Sequence, residues 1–475
     1  MITTGSGVKA WRARMGYSRK QAAEALKLAE ITIKSYELGK RKVSKSVGQL
    51  MTRLEQEGGT SIPSVKGSSI KVVGGGTVFH VRNHLAIACA VSGTTARQLV
   101  RMIDEQGEQA ELILTRMADS SSSYETNSDM QELADDIVRD NNARIVFWNP
   151  ALCDFEGTID DVASGKKADR LKTKDGDVWM KMTPAPKVVD SFRKTRKDLF
   201  LVAFKTTTNA TPSEQYKAGL ALLKRASANL VLANDEVTGL NMVVVPEEAR
   251  YHETHDREEA LRGLVEMALL RSKNTFTRSK VVSEQGVKWD DQIIPQNLRE
   301  VVNYCIDQGA YKPFLGKTVG HFAVRGPNNT IITSKRKSNF NDLVEGKLDM
   351  VLIKPQDNDV VLAHGGKPSV GGMSQKIIFD EHPEVSNIVH FHCPLKEGVS
   401  NIPVRPQRQN ECGSHQCGEN TSRGLRIVED GIMAVMLDNH GPNIVYDKET
   451  PSSKVIAFIE KYFDLNQKTG GLIAA

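Results

Sequence analysis

The chain has 475 residues, of which 25% are charged, 39% hydrophobic and 6% aromatic, and its formal net charge is +5. That length holds about three domains at roughly 150 residues each, and the composition is that of a globular protein rather than a disordered or fibrous one. No apolar run reaches the roughly 20 residues of a bilayer span and the start has no signal-peptide core, so the expectation is a cytoplasmic chain without a membrane partner. The six cysteines (Cys89, Cys153, Cys305, Cys393, Cys412, Cys417) are too sparse for a disulfide framework.

Charge is unevenly spread. Residues 1–58 carry twelve Lys or Arg against five Glu, while the rest of the chain sums to −2. Positive charge concentrated in one small segment favours a polyanion there. Residues 8–43 read VKAWRARMGYSRKQAAEALKLAEITIKSYELGKRKV. Ser18 is placed to N-cap a second helix, Ala22 and Ala23 permit close helix packing, and Ile33 and Tyr36 face a core. A third helix is expected over about 29–37.

Together with Arg12, Gly16, Tyr17, Leu26, Glu37 and Gly39, these residues resemble the Cro/C1-type helix-turn-helix family. The resemblance implies an all-α DNA-binding domain over 1–58, with its third helix in the major groove. Arg19, Thr32, Lys34, Ser35 and Arg41 are the implied DNA contacts, with Glu30 and Lys40 nearby. Arg19 stands where that family often has Gln, and Lys27 where it has a turn Gly, so the target sequence is not inferable. A small helical bundle serving protein contacts is the plainer alternative.

Residues 59–68, GTSIPSVKGS, have linker composition. A central domain is expected over 69–283. Its apolar runs IKVV (70–73), AELILTRM (110–117), RIVFWNP (144–150), LFLVAFK (199–205), NLVLAND (229–235) and MVVV (242–245) alternate with amphipathic stretches such as TTARQLVRMIDEQ. Short apolar strands separated by helices imply a parallel α/β sheet covered on both faces. After the first strand, Gly74-Gly75-Gly76-Thr77 is either a phosphate-binding loop or a plain Rossmann-like turn. The acid of ALCDF (151–155), the basic stretch GKKADRLK (165–172) and the lysine ending PAPK follow it.

These elements resemble the phosphopantothenate–cysteine ligase family over roughly 70–272. The resemblance implies a Rossmann-like domain that joins 4′-phosphopantothenate to cysteine after activating a carboxylate with CTP or ATP. It carries Gly75, Gly76, Thr77, Asn234 and Asp235 over as nucleotide-binding residues, and Asp154, Lys167, Lys187 and Lys205 as catalytic ones, Asp154 being followed by the matching aromatic Phe155. The lysines and amides would gather a carboxylate and a triphosphate that repel each other. Three departures stand out. Ser92-Gly93-Thr94-Thr95 replaces the family's Ser-Ser-Gly loop, Leu222 takes a lysine position, and the flavin-binding half is absent.

A separate α/β domain is expected over 295–475. HPEVSNIVHFH sets His390 and His392 at alternate positions of a strand, so both imidazoles face one side, and His440 in MLDNHG is a third donor. With GHFAVR (320–325) and IITSKRKSNFNDL (331–343), these residues resemble the class II aldolase/adducin family over about 295–460. The resemblance implies a divalent metal, Zn or Mg, on His390, His392 and His440, with a Glu as acid/base. Gly371 stands at that Glu position, and Val319-Gly320-His321 replaces a Ser-Gly-Asn turn, so the family's proton carrier is missing. Cys412 and Cys417, flanking His415, suit either a helix start or a metal or redox role. His80 and His84 are loop histidines or phosphate contacts, and His252 and His255 are expected to face solvent.

Three functions are consistent with these parts. The leading one is nucleotide-dependent ligase chemistry in a chain that also binds DNA and a metal. The second is a DNA-binding regulator whose enzyme-derived domains sense a phosphorylated metabolite or nucleotide. The third is an aldolase-like enzyme or oligomerisation scaffold. A homo-oligomer is expected, since all three families associate.

Overall fold

The computed structural model describes residues 2–15, 17, 19–56, 64–356 and 359–470. The expected N-cap Ser18, the turn residue Gly16 and linker positions 59–63 lie outside the described residues. The chain forms two compact units. The first comprises Met1–Thr208, Leu222–Asn241 and Thr254–Ala268, and the second Asn209–Ala221, Met242–Glu253 and Leu269–Ala475. Among the described residues no helix is long and apolar enough to cross a membrane.

The first unit opens with helices at Gly5–Arg14, Arg19–Leu26, Glu30–Glu37 and Lys45–Gln56. Their apolar residues meet in one small core of Val8, Trp11, Ala22, Leu26, Ile33, Tyr36 and Met51. The small Ala22 and Ala23 are buried, which lets neighbouring helices approach closely. Lys27 ends the second helix at φ +52°, a left-handed conformation that glycine adopts more readily.

Beyond them, five strands pair in parallel in the order Ala110–Leu114, Ile70–Gly76, Ile145–Ala151, Phe200–Thr207, Leu230–Asp235. Each of the five coincides with one of the apolar runs. The central residues of four of them are buried on both faces, as continuous rather than alternating apolar runs require, while those of the edge strand Ala110–Leu114 are half-buried. Helix Thr94–Glu105 buries Ala96, Leu99, Val100, Met102 and Ile103. Helix Asn127–Arg139 starts with a capping box in which Thr126 and Asp129 satisfy each other's backbone amides. Two antiparallel ribbons, Val78–Arg82 with Leu85–Ala88 and Phe155–Ile159 with Met180–Pro184, complete the unit.

In the second unit a largely antiparallel sheet runs in the order Arg278–Ser283, Val360–His364, Val351–Pro355, Ile331–Thr333, His321–Arg325, Asn387–His390, Gly441–Tyr446, Ile432–Leu437, Val404–Arg405. Helices Gln296–Asp307 and Ser452–Tyr462 supply one core, with Phe322, Phe391 and Tyr446. Helix Met373–Glu381 contributes Ile378 and Phe379 to a second core, with Ile353, Ile388 and Val445.

Candidate ligand crevice and candidate metal centre

Parallel strands bring their carboxyl ends to one edge, where ligands of open α/β sheets bind. Four groups of expected site residues arrive there in the first unit. The glycine turn ends Ile70–Gly76, Asp154 follows Ile145–Ala151, Lys205 lies near the end of Phe200–Thr207, and Asn234 and Asp235 close Leu230–Asp235. The register sets Thr206 beside Asn234 and Thr207 beside Asp235. Thr207 Oγ1 donates to Asp235 Oδ2 at 2.9 Å, and Asp235 Oδ1 accepts from the amides of Val237 and Thr238. Asp235 is thus buried and occupied in holding its loop. Lys205 Nζ donates to the Thr206 carbonyl at 3.0 Å, and the Lys187 ammonium is bonded to the Asp154 carboxylate. Lys167 is exposed, and its neighbour Lys166 pairs with Glu125 at 2.6 Å.

The glycine turn is tightly packed against its own unit. An added Cβ at Gly74 would overlap Ala96, at Gly75 the Thr115 hydroxyl, and at Gly76 the Cys89 carbonyl. The amide of Gly76 donates to Val91 O and that of Thr77 to Ala151 O, both at 3.0 Å. Thr77 Oγ1 donates to Asn127 and accepts from the Cys153 amide. The small residues therefore serve close packing, and these two amides are already engaged. Uncapped donors lie beside the turn instead. Helix Thr94–Glu105 starts from Gly93, at φ +72°, with no side-chain cap, in the Ser92–Thr95 stretch. Its first-turn amides and dipole suit an anion.

The expected DNA contacts divide. Lys34 and Arg41 are exposed, Thr32 and Ser35 half-buried, and the Arg41 guanidinium lies over the Tyr36 ring. Arg19 is committed elsewhere: its Nε bonds Glu37 Oε2 at 2.7 Å while Arg12 Nε bonds Oε1 at 2.6 Å. Burial raises the Glu37 pKa, but the two guanidinium hydrogen bonds outweigh it and hold the carboxyl below its ordinary value. Of the two histidines expected to face solvent, His255 does so, whereas His252 is half-buried with φ +50°. His80 lies 3.4 Å from Glu125, and His84 is exposed.

In the second unit, the donor atoms of His390, His392 and His440 lie within 4.8 Å of one another. Strand Asn387–His390 ends at the first of them, yet the two-residue alternation persists. Phe391 turns into the core while the two histidines share the other side. His440 precedes Gly441, where an added Cβ would overlap the Phe391 carbonyl, so the turn packs against the H-x-H segment. His390 Nδ1 donates to Pro442 O at 2.6 Å, leaving a lone pair on Nε2, which faces His440 Nε2 at 3.3 Å. Two nitrogens each about 2.05 Å from a tetrahedral zinc would lie about 3.3 Å apart. Both ring nitrogens of His392 and Nδ1 of His440 are buried without a hydrogen-bond partner. Polar atoms so placed are costly unless something binds them, so the residues fit a metal ion. Burial also lowers the pKa of all three, that of His390 to about 4, and keeps the rings neutral as ligands must be.

A fourth imidazole was not legible as part of this set. His321 pairs directly opposite His390 across the sheet, with ring centroids 4.8 Å apart, and Gln375 Nε2 donates to its Nδ1 at 3.0 Å. A small pocket here is lined by His321, Ser374, His390, Cys412, Cys417 and His440, among others. Cys412 and Cys417 precede and open helix His415–Gly424, whose N-cap Ser414 accepts from the Cys417 amide at 3.0 Å. The helix start and the pocket wall are thus one structure. Glu247 and Arg271 also escaped notice. Both are fully buried and paired at 2.6 Å, and Arg271 donates to Arg408 O. No spacing in the sequence links residues so far apart.

No protein-family model matches the chain. The coenzyme A biosynthesis bifunctional protein CoaBC of Thermococcus kodakarensis is 26% identical over 205 residues, 42% of this chain and 48% of that protein. The chain thus spans about half the length of that curated relative. Among solved structures, the DNA/pantothenate metabolism flavoprotein of Streptococcus pneumoniae is 17% identical with a TM-score of 0.35, over 42% of this chain and 96% of that one. L-fuculose 1-phosphate aldolase is 14% identical with a TM-score of 0.27, over 36% and 84%. A part of the chain is therefore similar to a coenzyme A biosynthesis protein, and a fainter likeness to an aldolase accompanies it.

Proposed function

We propose that the first unit performs ligase-type chemistry on a phosphorylated pantothenate-class carboxylate, activated by CTP or ATP and then captured by an amine such as that of cysteine. The observation that carries this reading is the convergence of Asp154, Lys187, Lys205 and Asn234 on the carboxyl ends of adjacent parallel strands. In this reading Lys187 and Lys205 spread the negative charge of the reacting phosphate, and Asp154 holds Lys187 in position. The nucleotide phosphates approach the first turn of helix Thr94–Glu105, because the amides of Gly76 and Thr77 are spent within the fold. The second unit is proposed to hold a divalent metal on His390, His392 and His440, which would supply Lewis-acid polarisation of a bound oxygen.

The test supplies the purified chain with CTP or ATP, 4′-phosphopantothenate and cysteine, and measures pyrophosphate. Release should fall about 100-fold or more in Lys205→Ala, since a lost charge-stabilising donor costs that much. Nucleotide binding without pyrophosphate would move the reading to its alternative, a regulator that senses the same ligand. One observation favours that alternative. Helix Thr94–Glu105 touches the N-terminal helices farther along its length, where Arg101 lies over the Tyr17 ring at 5.1 Å and donates to the Met15 carbonyl. A ligand at its start would act on an element that the N-terminal helices also grip.

A further inference from the structure

The proposed metal centre has only neutral ligands. Among the described residues the only candidate metal-binding group is His390, His392 and His440, and it includes no carboxylate. Nor does any Asp, Glu, Lys or Arg line the adjoining pocket. Of the buried acids nearby, Glu247 is paired with Arg271, which also feels the charge of Glu411. A divalent ion on three neutral imidazoles would therefore keep its whole charge in a buried site, which is unfavourable until an anion joins it. The pocket has neutral donors for one. Ser374, 5% exposed, presents a buried hydroxyl with no partner. His321 accepts from Gln375 at Nδ1, so its proton sits on Nε2 and is available for donation. Gly371, where the resemblance implies an acid, brings no side chain, and its neighbour Val370 lines the same pocket.

Resting on the metal-centre reading, we propose that this pocket binds a small oxyanion, carboxylate or phosphate, directly on the metal. The anion takes the position where the chain supplies no carboxylate, and Ser374 and His321 donate hydrogen bonds to it. The site is then a receptor for a small acid whose affinity depends on the ion.

Full-length protein loaded with Co(II) provides a readout independent of turnover, because its visible spectrum reports the ligands on the metal. One cobalt should bind per chain, and titration with oxalate or inorganic phosphate should shift the visible bands saturably. Ser374→Ala and His321→Asn should each weaken the titration about tenfold at unchanged cobalt content, the scale of one hydrogen bond to a charged group. If cobalt binds and neither anion alters the spectrum, the inference is wrong and the metal centre stands. A sulfur-to-cobalt charge-transfer band that disappears in Cys412→Ser or Cys417→Ser would also overturn it, by showing that a protein thiolate fills the position. If no cobalt binds to the wild-type chain, or if a His390→Ala, His392→Ala control binds as much, the centre itself is wrongly assigned.

Discussion

Glu37 shows how one side chain serves two elements. Its carboxylate accepts from Arg12 on the first helix and Arg19 on the second, with only 2% of its side chain exposed. Replacing it by Ala leaves two guanidinium groups without their shared anion, and the expected loss is about 3 kcal/mol in urea denaturation. Because folding holds this carboxyl below its ordinary pKa, its contribution is complete above the unfolded value of about 4.3 and fades as pH falls through the folded one. Glu37→Gln should remove that acid-side decline from the unfolding of the N-terminal helices. Equal pH slopes in wild type and variant would show that the pair does not stabilise the fold. The same residue explains why Arg19 reads as an open cation in sequence and is a bound one in space. Eighteen positions separate Arg19 from its partner, beyond any helical spacing.

At the scale of elements, the helix-ending turn at Lys27 is held left-handed by a residue that resists it. Lys27→Gly should raise stability by about 1 kcal/mol, measured as a shift of the urea midpoint at constant slope. An unchanged midpoint would mean the turn is not strained. This position was legible, because a glycine is wanted there and is missing. The parallel strands were legible for a related reason: a strand buried on both faces must be largely apolar, and four such runs became inner strands, with AELIL at the edge. The H-x-H alternation was equally plain. What stayed hidden depends on neighbours that only the fold supplies. Gly75 and Gly76 look the same in sequence whether or not they admit Thr115 and Cys89, as they do in the structure. His321 joins the other histidines through strand pairing, and the two pocket thiols through the start of a helix, neither of which leaves a local pattern.

For the molecule as a whole, the surplus of positive charge in the first 58 residues remains the strongest argument for nucleic acid. Lys34 and Arg41 are exposed on and just after the third helix. Reversing both to Glu should abolish a mobility shift on duplex DNA and flatten its salt dependence, while leaving pyrophosphate release intact. An unchanged shift would assign DNA contact to another surface, or the helices to a protein partner.

The chain passes between its two compact units five times before settling in the second. Residues 209–221 and 242–253 are flanked in sequence by the first unit and pack with the second, where Tyr216 Oη bonds the Glu248 carbonyl and Glu247 meets Arg271. A single scission near residue 283 would therefore leave three pieces of the second unit, 209–221, 242–253 and 269–283, joined to the first. Such interleaving means that no single cut of the chain separates the two units. It also predicts that a protease nick in that stretch leaves fragments that stay associated until denatured.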